Sequence, residues 1–186
     1  MNETRTDPLG TLELRGNQHV LTYERRLDHP IDTVWSALTE PEELIAWWGQ
    51  ADVDLVEQGR FTLRWLNTDE EGNGSALEAT ITELDPPRRL ELSGAWGSQR
   101  PDWGSGDALE DPVDVVMRWD LDPHDAATTL RFECIGELPA DYVTKTLAGW
   151  HWHLDALADA LDGRRTDLAD PQGWEPIHER YAERLG

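Results

Sequence analysis

The sequence has one cysteine, Cys134, and so excludes an internal disulfide. Leu130, Phe132 and Ile135 around it point to a thiol buried in a strand. Nothing in that neighbourhood would lower its pKa and make it a nucleophile. No run of 18 apolar residues occurs, so no membrane-spanning helix is expected. The N-terminal stretch MNETRTDPLG lacks the apolar segment of a secretory signal, and the expected location is the cytoplasm. Bases are scarce: 16 Lys and Arg stand against 38 Asp and Glu, for a net charge of −22. Lys145 is the only lysine. Such a surface repels phosphate backbones and anionic bilayers, so neither a nucleic-acid nor a membrane partner is expected. Also missing are GxSxG, a Walker loop, a GxGxxG after a strand, and any Cys/His spacing suited to zinc. The reading therefore assigns no catalytic residue, no cofactor and no metal.

What the chain has in excess is tryptophan, 10 residues against 2 phenylalanines. An indole buries a large apolar area yet keeps an N–H that seeks an acceptor. At 186 residues the chain reads as one domain able to bury roughly 70% of its unfolded surface. Residues 1–16 are polar and read as a flexible arm. Leu21, Tyr23, Arg25 and Leu27 alternate with polar residues at strand period, and Pro30 ends that strand. Ile31, Val34, Trp35 and Leu38 are spaced for one face of a helix with Asp32 in its first turn. A second short helix starts near Thr39 and Pro41 and stops at Gly49. Strand-like runs follow at 52–57, 60–66, 76–84, 89–96, 112–121 and 128–135. The stretches 68–75 and 97–111 read as a polar turn and an inserted loop.

The last helix, Asp141 to Leu161, is marked by Val143, Leu147, Trp150, Leu154, Leu157 and Leu161. Their steps of 4, 3, 4, 3 and 4 make one apolar stripe that should face a sheet. His151 and His153 lie about 200° apart on that helix and cannot chelate one ion. Each falls at a flank of the stripe. Trp152 points away from it, and residues 164–186 read as an extension that covers this ring. Trp174, Ile177, Tyr181 and Leu185 carry the spacing of a short amphipathic helix that folds back. A second subunit, making a homodimer, is the other cover.

Two segments carry a resemblance: Tyr23 to Gly49, YERRLDHPIDTVWSALTEPEELIAWWG, and GWHWHLDALADAL in the last helix. They are similar to the start and the C-terminal helix of the START-like (SRPBCC) superfamily, in particular the Hsp90 ATPase activator homologue family. The resemblance implies an α+β helix-grip fold over residues 17–163, a curved antiparallel sheet wrapped around the long C-terminal helix. A space between sheet and helix lined by tryptophans suits a small apolar or aromatic ligand. Strand phase together with that fold nominates Tyr23, Arg25, Trp35, Phe61, Trp65, Leu92, Trp96, Met117, Trp119, Trp150, His153 and Leu154 as its contacts. Two other functions stay open. One is a cyclase-like enzyme on a polyketide or aromatic substrate, with Tyr23, Arg25 and His153 as its acid–base candidates. The other is an Hsp90-type co-chaperone. An inward Arg25 needs a partner, either a ligand acid or carbonyl or a structural ion pair.

Two accounts of the acidity also stay open, adaptation to high salt and compositional drift. Carboxylate repulsion in a halophilic chain is relieved by counterions, so Tm should then climb steeply between dilute buffer and molar KCl. Drift leaves Tm nearly flat, and a thermal melt across that salt range separates the two.

Overall fold

The structure, a computed structural model, describes residues 8–68, 74–98, 112–168 and 173–186. Most of the polar turn and of the inserted loop expected from the sequence lies outside these residues. The described strands are β1 (Thr11–Arg15), β2 (Gln18–Leu27), β3 (Gln50–Val53), β4 (Arg60–Thr68), β5 (Gly74–Asp85), β6 (Arg89–Ser98), β7 (Val113–His124) and β8 (Ala127–Gly136). The helices are α1 (Ile31–Thr39), α2 (Pro41–Leu44), α3 (Ala140–Leu161) and α4 (Glu175–Leu185). The strands form one antiparallel sheet in the order β1-β2-β8-β7-β6-β5-β4-β3. After β2 the chain leaves the sheet through α1 and α2 and re-enters at the far edge as β3. It then returns by successive hairpins until β8 closes against β2. The sheet curves around α3, which is the helix-grip fold.

Alternation along the strands decides what faces α3. On β2 the buried residues of one face are Leu21, Tyr23, Arg25 and Leu27, with Val20 buried as well, and on β7 they are Val113, Val115, Met117, Trp119 and Leu121. Register lines these up in rows: Tyr23 opposes Phe132, Phe132 opposes Trp119, and Trp119 opposes Leu90. The next row runs Leu21, Cys134, Met117, Leu92 and Ile81. On the other face, Arg118 sits between its cross-strand neighbours Glu91 and Glu133, at 2.6 and 3.2 Å. Arg89 likewise bridges Asp120 and Glu83 at 2.6 and 3.2 Å. Both guanidiniums are thus shared between carboxylates.

Two elements differ from the sequence reading. Residues 11–15, read as part of the polar arm, form β1 and pair with β2. The cause is the Gly16–Asn17 turn: Arg15 opposes Gln18, and Gly16 takes φ +67°, the backbone that a two-residue hairpin needs. The strand expected at 52–57 instead ends at Val53. Residues 54–59 form a tight turn held by Val56 N–H to the Asp54 carbonyl and Gly59 N–H to the Val56 carbonyl, both 2.8 Å. A Cβ on Gly59 would meet the Asp54 carbonyl oxygen at 2.0 Å, so this turn depends on glycine.

The stripe of α3 packs inward, with Val143, Leu147, Trp150, Leu154 and Leu157 all buried. α4 packs against α3. Trp152 is half-buried there, and a Cβ on Gly173 would touch its Nε1 at 2.8 Å. Trp150 joins the helix to the sheet by ring contacts to Phe132 at 4.3 Å and Trp48 at 5.3 Å. Replacing it by alanine removes those contacts and opens a hole. We expect Trp150→Ala to lower unfolding free energy by about 3–5 kcal/mol, read from a denaturant melt. A loss under about 1 kcal/mol would mean that α3 is held elsewhere.

Candidate functional site

The space between α3 and the sheet is filled with aromatic rings. Trp48 stands at its centre, with ring centroids of Trp47, Phe61, Trp119 and Trp150 all 5.3–5.6 Å away. Trp119 also packs on Phe132 at 4.9 Å, and Phe132 stacks on Tyr23 at 6.0 Å. Trp47 and Trp48 come from the turn after α2, which Gly49 presses onto β4. A Cβ on Gly49 would meet the Arg64 carbonyl oxygen at 2.3 Å. The sequence reading took this Trp-Trp-Gly only as a helix stop.

The residues nominated from sequence separate into groups. Phe61, Leu92, Met117, Trp119, Trp150 and Leu154 are buried in this interior. Trp65 on β4 and Trp35 on α1 are half-buried at its margin. The side chain of Trp96 lies outside the described residues, although its backbone pairs with Leu77 and Val113. Tyr23 and Arg25 lie under the β2 end of α3. Tyr23 donates its hydroxyl to the Leu147 carbonyl at 2.8 Å, and burial pushes its pKa well up. Arg25 is buried, 3.5 Å from Asp155 of α3, and donates to the carbonyls of Pro8 and Glu24 at 3.1 Å.

His153 links the margin to the core. Its Nδ1–H donates to the Trp47 carbonyl at 3.0 Å, so its Nε2 is the acceptor for the Trp65 indole N–H at 3.2 Å. Both ring nitrogens are therefore engaged while the imidazole is neutral. Burial disfavours the cation and lowers the His153 pKa to about 4. Cys134 lies in the same interior, its thiol pushed up to about 12 by burial.

The indole N–H groups of Trp48 and Trp119 are buried, and neither finds an acceptor among the described residues. Buried donors ordinarily find partners, so a pair of orphans in one space calls for a reason. A cleft of about 400 Å³ opens instead on the outer face of the sheet, among Glu24, Glu83, Asp85, Arg88, Arg89, Asp120 and Asp122. No candidate metal site of three or more His, Cys, Asp or Glu occurs among the described residues.

The family described as activator of Hsp90 ATPase homolog 1-like protein matches residues 28–162. The chain belongs to this family. Its fold is similar to that of CalU16 from Micromonospora echinospora, at 22% identity and TM-score 0.64 over 94% of each chain. EF2215 from Enterococcus faecalis is similar at 19% identity and TM-score 0.65, covering 95% of this chain and 90% of that one. DynU16, a putative protein in the dynemicin biosynthetic locus, is similar at 21% identity and TM-score 0.62 over 80% of this chain and 50% of its own. No curated protein matches. No helix among the described residues is long and apolar enough to cross a membrane.

The neutral His153 makes stability depend on pH. Its folded pKa of about 4 lies below the ordinary 6.5, so its share of stability is whole above pH 6.5. That share is lost as pH falls toward 4, by roughly 3 kcal/mol at most. His153→Gln keeps a polar side chain without the titration. Denaturant melts from pH 7 to pH 4 should show the wild type losing more stability than the variant. Parallel losses would show that other groups carry the acid response.

Proposed function

We propose that the protein binds a small aromatic or apolar molecule carrying a hydrogen-bond acceptor, in the interior between α3 and the sheet. The observation that carries this reading is the pair of buried indole donors, Trp48 and Trp119, without acceptors among the described residues. A ligand carbonyl supplies the acceptor that the protein does not, and the surrounding rings stack on a flat body. Since Trp48 packs against Trp47, Phe61, Trp119 and Trp150, the ligand enters by shifting rings rather than by filling a preformed hole. The half-buried Trp65, tied to His153 by one hydrogen bond, is the side chain whose movement opens the path. Tyr23, Arg25 and His153 are already committed to protein partners, which favours holding a ligand over transforming it.

1-Indanone and indane test this, because they share a flat skeleton and differ in one carbonyl. Indanone should bind at least tenfold more tightly by calorimetry or NMR titration, and Trp119→Phe should erase most of that difference. Failure of both molecules to bind, with no co-purified small molecule in native mass spectrometry, would end the reading.

A further inference from the structure

Away from that interior, beyond the β2 end of α3, the structure holds a second polar assembly. Tyr181 of α4 is buried, 1% exposed, while most of α4 faces solvent. Its hydroxyl accepts the Gly10 backbone N–H at 2.7 Å and lies 3.0 Å from Nδ1 of His151. Nε2 of His151 stands 3.4 Å from the Asp155 carboxylate, which favours a proton on Nε2. Nδ1 is then an acceptor, and the Tyr181 O–H donates to it. The His151 ring meets the Tyr181 ring edge-on, with centroids 5.8 Å apart and planes at 77°. Tyr23, whose own ring would clash with any Cβ on Gly10 at 2.4 Å, forms the inner wall. Arg25 approaches Asp155 at 3.5 Å, so the carboxylate lies between the guanidinium and the imidazole.

We propose that this socket is a binding site for the phenolic hydroxyl of a hydroxyaromatic ligand, occupied here by the chain's own Tyr181. Every group a phenol needs is present: one N–H to donate to its oxygen, one imidazole nitrogen to accept its proton, and aromatic walls for its ring. All are supplied by elements other than α4. In α4, EPIHERYAERL, Tyr181 is the one buried residue, with Ile177 and His178 half-buried, and Arg184 donates to the Gly10 carbonyl at 3.3 Å. The helix thus presents Tyr181 to the socket as a tethered phenol. A free phenol competes with it against the effective concentration that the tether creates. When the free ligand wins, α4 leaves α3, and the half-buried Trp152 loses a neighbour.

p-Cresol, the side chain of tyrosine as a free molecule, is the probe, and toluene is its control without the hydroxyl. In the wild-type chain p-cresol should raise the hydrogen-exchange rate of α4 amides, saturably, while toluene does so at least tenfold less effectively. Tyr181→Phe weakens the internal occupant and should increase p-cresol affinity about tenfold. His151→Gln should bring p-cresol and toluene together. The wild-type measurement stands even if a variant folds poorly. The proposal is overturned if p-cresol up to its solubility leaves α4 exchange unchanged in both wild type and Tyr181→Phe, or if toluene acts equally. Indanone should leave α4 exchange unaltered, so failure here is distinguishable from failure of the interior ligand site.

Discussion

The packing of Trp48 is the contact on which the rest of the fold leans. One indole from the turn after α2 touches β4 through Phe61, β7 through Trp119 and α3 through Trp150. It therefore joins the edge of the sheet, its centre and the helix at one point. Aromatic pairs of this kind are worth about 0.5–1.5 kcal/mol each beyond the area they bury. Their number here explains why a chain with so few phenylalanines still builds a core. Gly49 is the enabling residue, because only without a Cβ can the turn sit on the Arg64 carbonyl and aim the indole inward. The cost of this arrangement is two indole N–H groups left without acceptors among the described residues.

Charge is arranged by a matching logic. The outer face of the sheet carries Arg118 and Arg89 between carboxylates, and Arg131 beside Glu133 of its own strand. Directly opposed pairs fix register as well as charge. Inside, ionisable groups are either held neutral or paired. His153 is held neutral by burial between Trp47 and Trp65, and Arg25 lies against Asp155. His151 and His153, two residues apart, thus serve separate sites on opposite flanks of α3. One looks toward Trp65 and the other toward Tyr181. The helix is a partition between an aromatic interior and a polar socket.

Much of the architecture was legible from residue spacing. The inward stripe of α3, the order of strands after the two short helices, the buried Cys134 and the burial of Trp119, Met117 and Leu92 all follow from periods of 3.6 and 2.0. β1 escapes the sequence reading because the run is short and its side chains are mostly exposed, although Leu12 and Leu14 alternate with Thr11, Glu13 and Arg15. Trp47 and Trp48 were missed as core because a turn has no period, and their burial depends on where the turn docks. His151 was placed at a flank, which it is. That the flank is buried depends on α4 and residues 8–10 arriving from the two ends of the chain.

What the sequence by itself determined is the set of local choices: which residues extend, which coil, where each element stops, and which face is apolar. These are decided by backbone sterics and side-chain period within a few residues, and need no knowledge of what lies opposite. Tertiary structure alone decided the meetings: Trp48 with Trp150 across more than 100 residues, His153 with Trp65 and the Trp47 carbonyl, Tyr181 with Gly10 and His151. Partners for a buried hydrogen-bonding group are chosen by what the closed fold brings within about 3 Å, and no local pattern encodes that distance. The proposed function rests on those meetings, because both the aromatic interior and the socket around Tyr181 are assembled from segments far apart in sequence.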